Sequence, residues 1–217
     1  MSGPQTLEEA EAELIEAWRA GDDTRAAAAE KVVDELDRLA RERRKAATLH
    51  SVALWYAARG FRVFPLIPGT KIPFKGSNGC LDGSSNPDVV NGWWNAEPDA
   101  NIGLATGHRV DVVDIDGLPG QTSRARHWDE VFAKVDADQL AKVLTPRPGG
   151  MHIYVPATGD GNRAGIVPGV DYRGKGGYVV APPSVITEEA ARKYDNHHPG
   201  HYEFLGTPNL DLTDGAA

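Results

Sequence analysis

The chain has 217 residues, 41% apolar and 25% charged, enough for one good-sized domain with an appendage or two small ones. No apolar run approaches the ~20 residues that cross a bilayer, and the acidic N-terminus MSGPQTLEEAEAEL has no hydrophobic stretch, so neither a membrane span nor a signal peptide is expected and the expected compartment is the cytoplasm. A net charge of −8 argues against a protein that coats DNA non-specifically, and Cys80, the single cysteine, excludes an internal disulfide and a cysteine-rich zinc site.

The first segment, residues 1–47, reads as helical. Leu7, Leu14, Ile15 and Trp18 recur at helical spacing until Gly21-Asp22-Asp23 breaks the pattern, with Asp23 or Thr24 as the expected N-cap. A second helix is expected from Thr24 to Ala47, its stripe made by Val32, Val33, Leu36 and Leu39. Nothing in this hairpin carries chemistry. The main domain is expected over 48–217. LHSVALWYAARG predicts a helix ending at Gly60, and FRVFPLI a short strand. Residues 68–87 are rich in Gly, Pro, Ser and Asn and predict a long loop of the functional kind. Asp88 to Asn95, with Trp93 and Trp94, reads as a short helix, and NIGLATG and VDVVDIDG as two strands joined by a turn. Residues 120–143 read as a helix bearing Trp128, Val131, Phe132, Val135 and Leu140. MHIYVP is a strand, a glycine-rich turn leads to GVDYRG, GYVVAPPSV is another strand, and the tail from Thr187 is polar with one strand-like piece, HYEFL. Strands and helices mix without a regular βαβ beat, which points to an α+β fold.

Four places hold candidate chemistry. In Val112-Val113-Asp114-Ile115-Asp116-Gly117 the alternation of a strand sends Asp114 and Asp116 to one side, about 7 Å apart by its rise. Two carboxylates so placed call for a cation, and oxygen donors favour Mg²⁺ or Mn²⁺. A strand end whose acids simply face water fits that pattern equally well. Gly149-Gly150-Met151-His152 sets a histidine beside a double glycine, suited to a phosphate, although a half-exposed strand histidine is the commoner case. In Gly169-Val170-Asp171-Tyr172-Arg173 the acid and the base share a face, as a site or as a plain salt bridge. Lys71, between the turn residues of PGTKIP, is either a phosphate contact or a solvated loop lysine. The bases are grouped: Arg59, Arg62, Lys71 and Lys75 precede any acid up to Asp82, and Arg147, Arg163, Arg173 and Lys175 form a second set. Such local patches on an acidic chain suit transient contact with nucleic acid.

Taken in order, ALWYAARGFRVFPLIPGTKIP, WW, NIGLATG, VVDIDG, TPRPGGMHIYV, GVDYRGKGGYVVAPPS and HYEFLG make residues 50–206 resemble the bifunctional primase–polymerase (prim-pol) domain of the archaeo-eukaryotic primase superfamily. The resemblance implies an α/β module joined to an RRM-like module, the active site lying in the cleft between them. It implies template-directed nucleotidyl transfer on DNA, with primer synthesis or extension from dNTPs or NTPs on a single-stranded DNA template. By the same resemblance Asp114, Asp116 and Asp171 hold two divalent ions, Mg²⁺ or Mn²⁺, His152 contacts the phosphates of the incoming nucleotide, and Arg173 and Lys71 bind substrate phosphates. Family members often have Ser before the double glycine, where this chain has Pro148, and some carry a zinc-binding insertion that one cysteine cannot supply. Relatives are often followed by a helicase, so a helicase domain or protein is an expected partner; the chain itself has no GxxxxGK[ST] motif. Two rival readings remain at this point, a metal-dependent nuclease and a non-catalytic DNA-binding scaffold on a primase fold.

Overall fold

The computed structural model describes residues 7–46, 48–127, 132, 133, 135 and 138–211. The chain divides between Thr48 and Leu49 into two compact units. The first holds a helical hairpin, α1 (Leu7–Ala20) and α2 (Asp23–Ala46). Its cap is Asp22, one residue before the expected position: the side chain accepts the Arg25 N–H at 3.0 Å. The seam is also narrower than the expected stripe. Ala10, Leu14 and Ala17 are buried with Ala26 and Ala29, while Ile15 and Trp18 are 45% and 61% exposed. Facing alanines let the two helices approach closely and leave no room for the larger side chains. Val33 packs on this seam and Val32 and Leu36 are half-buried; the side chains of Leu7 and Leu39 lie outside the described residues.

The second unit is an α+β fold of helices and antiparallel sheets. It opens with α3 (Leu49–Ala58), which ends as expected at Gly60, where the Phe61 N–H returns to the Tyr56 carbonyl. Strand β1 (Val63–Leu66) follows, then a loop with one 3-10 turn (Gly79–Asp82), then α4 (Pro87–Ala96), capped by Asn86. Trp94 of α4 is fully buried and its indole N–H reaches the Ala100 carbonyl at 3.0 Å. β2 (Asn101–Ala105) pairs with β1 and with β8 (Tyr178–Val180) in a three-stranded sheet. The larger sheet contains β3 (Val110–Ile115), β4 (Ala141–Leu144), β5 (Met151–Pro156), β6 (Arg163–Val167), β7 (Val170–Arg173) and β11 (Glu203–Leu205). Its order is β11-β4-β5-β3-β7-β6 and every pairing is antiparallel.

Several elements depart from expectation. Of the helix read over 120–143, α5 (Gly117–Arg126) and the described residues 132, 133 and 135 are helical, but Ala141–Leu144 is strand β4. Period two decides the latter: Ala141 and Val143 are buried, and Lys142 and Leu144 turn outward. Phe132 is buried and Val135 packs beside it, while Trp128 and Val131 lie outside the described residues. The expected GYVVAPPSV strand splits into β8 and β9 (Val185–Ile186) across Pro182-Pro183, which cannot donate to a ladder. The polar tail contains α6 (Glu188–Lys193), capped by Thr187, and HYEFL divides between β10 (Gly200–His201) and β11.

Strand β3 is buried on both faces. Val110 and Val112 enter one core with Tyr56, Trp94, Leu104 and Tyr154; Val113 and Ile115 enter a second with Phe132, Ile153 and Val170. Helix α5 locks this sheet at one end. The Asp116 N–H and the Ser123 hydroxyl bond the Gly169 and Pro168 carbonyls in the turn that launches β7, and Gln121 bonds the Gly149 carbonyl in the turn that launches β5. A Cβ at Gly120 would stand 2.3 Å from the Gly169 carbonyl oxygen, whereas one at Gly92, in α4, meets nothing within 4 Å. Gly120→Ala is therefore expected to cost about 1–3 kcal/mol by overpacking, and Gly92→Ala to add about 0.5–1 kcal/mol by helix propensity. Opposite shifts in thermal midpoint, at about 2–4 °C per kcal/mol, check the pair.

Candidate active site

The β3–β5 and β3–β7 registers build the site. Asp114 lies opposite His152 on one side and opposite Asp171 on the other, and Val143 of β4 completes the row. The next row along the same face is Ala141, Tyr154, Val112 and Arg173. The apolar face of β3 thus gives way to a carboxylate at residue 114, where a cavity of about 570 Å³ opens, within the ~300–1,000 Å³ usual for small-molecule sites. Asp114, Asp116, His152, Arg173 and Lys71 line it, together with Arg147. Asp171 stands beside Asp114 but outside the cavity wall, its Oδ1 accepting the Gly165 N–H at 2.8 Å.

Strand β3 ends one residue short of the second acid. Asp116 occupies the N-cap position of α5 and makes no capping bond with its side chain, leaving the carboxylate to the cavity. Gly117 follows with φ +59°, a conformation that L side chains rarely adopt, and a Cβ there would meet the Pro148 carbonyl oxygen at 3.1 Å. The turn needs glycine for backbone shape and close packing against the Pro148-Gly149 turn.

Charges in the site are matched. Arg173 Nη2 donates to Asp114 Oδ2 at 3.1 Å and to Asp171 Oδ2 at 2.8 Å, and Arg147 Nη1 lies 3.0 Å from Asp116 Oδ1. Lys71 supplies the third cation. Its loop is pinned: buried Asn101 donates to the Thr70 carbonyl, the Lys71 N–H donates to His197 Nε2, and the Tyr178 hydroxyl donates to the Lys71 carbonyl. Lys71 Nζ donates to the Asn196 carbonyl. Burial, and then the neighbouring Arg147, lowers the Lys71 pKa, against the pull of Asp114 and Asp116. Burial raises that of Asp116, reinforced by Asp114 and Asp171 and opposed by Arg147.

His152 is 6% exposed, not half-exposed as a strand histidine at a turn would be, because both faces of its sheet are covered. Burial lowers its pKa more than Asp114 raises it, so the ring is neutral at pH 7. Nε2 lies 3.6 Å from Asp114 Oδ1, beyond hydrogen-bond length, and Nδ1 is buried without a partner. The Tyr202 ring sits 5.7 Å away, centroid to centroid. Arg147 belonged to a basic set read from the sequence, but its partnership with Asp116 did not follow from spacing. His197, Asn196, Tyr178 and Tyr202 carried no signal, because no local pattern ties them to the acids.

Among the described residues no three acid, histidine or cysteine side chains already converge as a metal cage. Guanidinium groups stand at the carboxylates instead. The donors nonetheless fit a hard divalent cation: they are carboxylate oxygens, and burial, then the Asp114 charge, raises the Asp116 pKa, a cost that a cation would relieve.

A family model described as bifunctional DNA primase/polymerase, N-terminal (Prim-Pol), matches residues 53–209. Comparison with curated proteins finds no match.

An acid whose folded pKa is raised destabilises the fold once ionised; its contribution is fully present below the unfolded pKa and is lost as pH rises through the folded value. Asp116→Asn is therefore expected to raise the thermal midpoint at pH 7 in EDTA, with the gap closing below pH ~4, near the unfolded aspartate pKa. Arg173→Met leaves Asp114 and Asp171 facing each other and is expected to lower stability by about 1–3 kcal/mol in the same assay.

Proposed function

Because the chain belongs to the bifunctional DNA primase/polymerase family, we propose that it is a template-directed nucleotidyltransferase that adds dNTPs or NTPs to a DNA strand from the cavity beside Asp114. The observation that carries this reading is the pairing of Asp114 with Asp171 across β3 and β7, flanked by His152 and backed by Lys71 and Arg147. Numbered along the chain, the strands β3, β4, β5 and β7 lie in the order fourth, first, third, second, with α5 between the first two. That order supports an RRM-like module of the split βαβ kind, with α3, α4 and the three-stranded sheet as the α/β module and the site in the cleft between them.

Asp114, Asp116 and Asp171 are the residues that would hold Mg²⁺ or Mn²⁺, which when bound would neutralise charge at the triphosphate and acidify a 3′-hydroxyl. The chain's own part is positioning and charge. Arg173 and Arg147 are tethered by ion pairs to the acids and line the cavity, which leaves their remaining N–H donors for phosphate oxygens. Lys71, fixed through its backbone, adds a point charge. Neutral His152 offers its ring N–H to a phosphate oxygen and restrains it as the 3′-hydroxyl attacks the α-phosphate and pyrophosphate leaves. Tyr178, Tyr194, Tyr202 and Ile186 give the cavity an aromatic and apolar side for base and sugar.

Primer extension on a single-stranded template, in Mg²⁺ or in Mn²⁺, tests this. Asp114→Ala and Asp116→Ala are each expected to lower incorporation at least a thousandfold, about 4 kcal/mol of barrier, with circular dichroism unchanged. His152→Ala is expected to raise the KM for nucleotide about tenfold. Near-normal incorporation by a folded Asp114→Ala variant, or shortening of the labelled strand in place of extension, counts against the assignment.

A further inference from the structure

Two cationic side chains and a histidine lie together outside the cavity wall. Arg62, just before β1, places Nη1 3.4 Å from Nε2 of His108 in the β2–β3 turn. The turn is packed on the backbone of Lys175: Gly107, at φ +84°, lies so close that a Cβ would stand 2.2 Å from the Lys175 Cα. All three side chains are exposed. Arg62 and Lys175 have no carboxylate partner among the described residues, unlike Arg147 and Arg173 in the cavity. The cluster is held by construction, since the Thr106 hydroxyl bonds the Gly174 carbonyl, the Thr106 N–H bonds the Gly177 carbonyl, and the Lys175 backbone N–H donates to the Asp160 carbonyl. Burial, and then the neighbouring charges of Arg62 and Lys175, lowers the His108 pKa.

The cluster adjoins the site. Lys175 lies between Arg173 and Gly176, which both line the cavity, and two residues of extended chain span roughly 7 Å. A triphosphate would sit inside, with Lys71, Arg147 and His152. A strand entering or leaving the cavity carries one phosphate after another past its rim. On a chain of net charge −8, which repels a polyanion at long range, attraction has to be local.

We propose that Arg62, His108 and Lys175 form a docking site at the rim of the cavity for the phosphodiester backbone of a single-stranded nucleic acid. The proposal rests on the polymerase reading above, and it adds where the strand is gripped. Backbone contacts of this kind release counterions without reading sequence, so they have a defined salt signature.

The test is anisotropy titration of a fluorescent single-stranded oligonucleotide with the full chain across a range of KCl. The Arg62→Gln/Lys175→Gln double variant is compared with Arg19→Gln/Lys31→Gln, which removes the same charge from the helical hairpin. Each phosphate contact to a single strand contributes a slope of about −0.7 in log K against log [salt]. The rim variant is expected to lose about 1.4 from the slope, equally for oligonucleotides of different sequence, with nucleotide binding and thermal midpoint unchanged. An unchanged slope, an equal loss in the hairpin variant, or a loss confined to nucleotide binding overturns the proposal and leaves the polymerase reading standing. No oligonucleotide binding by the unaltered chain, with Asp114→Ala also without effect on incorporation, removes both.

Discussion

The site depends on one constraint, the register of β7 against β3. Antiparallel pairing puts Asp171 directly beside Asp114, and the period of two along a strand means that a slip of one residue would carry Asp171 and Arg173 to the opposite face. Burial of both faces holds the register, since Val113, Ile115 and Val170 belong to one core while Val110 and Val112 belong to the other. A polar lock adds to it. Asp111, fully buried on the face away from the cavity, accepts hydrogen bonds from the Tyr172 hydroxyl and from Thr158, tying β7 and the loop after β5 to β3. Burial, and then the bond to Asp111, pushes the Tyr172 phenol up to about 12, so it remains a donor throughout the physiological range.

Helix α5 extends the same control to the remaining acid. Its N-cap and second turn are bonded to the two loops that launch β5 and β7, so His152, Asp171 and Asp116 are referred to a common frame. Glycine at 120 and 169 permits the backbone-to-backbone approach. The carboxylates are matched by Arg173, Arg147 and Lys71, which explains how acids tolerate partial burial here.

Much of this was legible in the chain. The alternation in VDYR assigned Asp171 and Arg173 to one face, and they are bonded to each other. The turn-rich PGTKIP segment singled out Lys71, which lines the cavity. The reading failed where two periods compete or where a contact is remote. Phe132 and Val135 are helical as read, but the helix does not run on through AKVL, which pairs as a strand because β5 offers it an edge. Ile15 and Trp18 match a helical stripe but face solvent, because an alanine seam packs more closely.

The sequence by itself determined the α+β class, the order of the motifs and the chemistry each could offer, because alternation, turn residues and side-chain type are local properties. Tertiary structure alone decided which of those side chains meet. Asp114 finds Asp171 through a strand pairing across 57 positions, Arg147 finds Asp116 through the packing of two turns, and Lys71 is held by His197 and Tyr178 from the far end of the chain. Register, sheet order and the neutral state of His152 arise from burial shared among distant segments, and no short stretch of residues encodes that sharing.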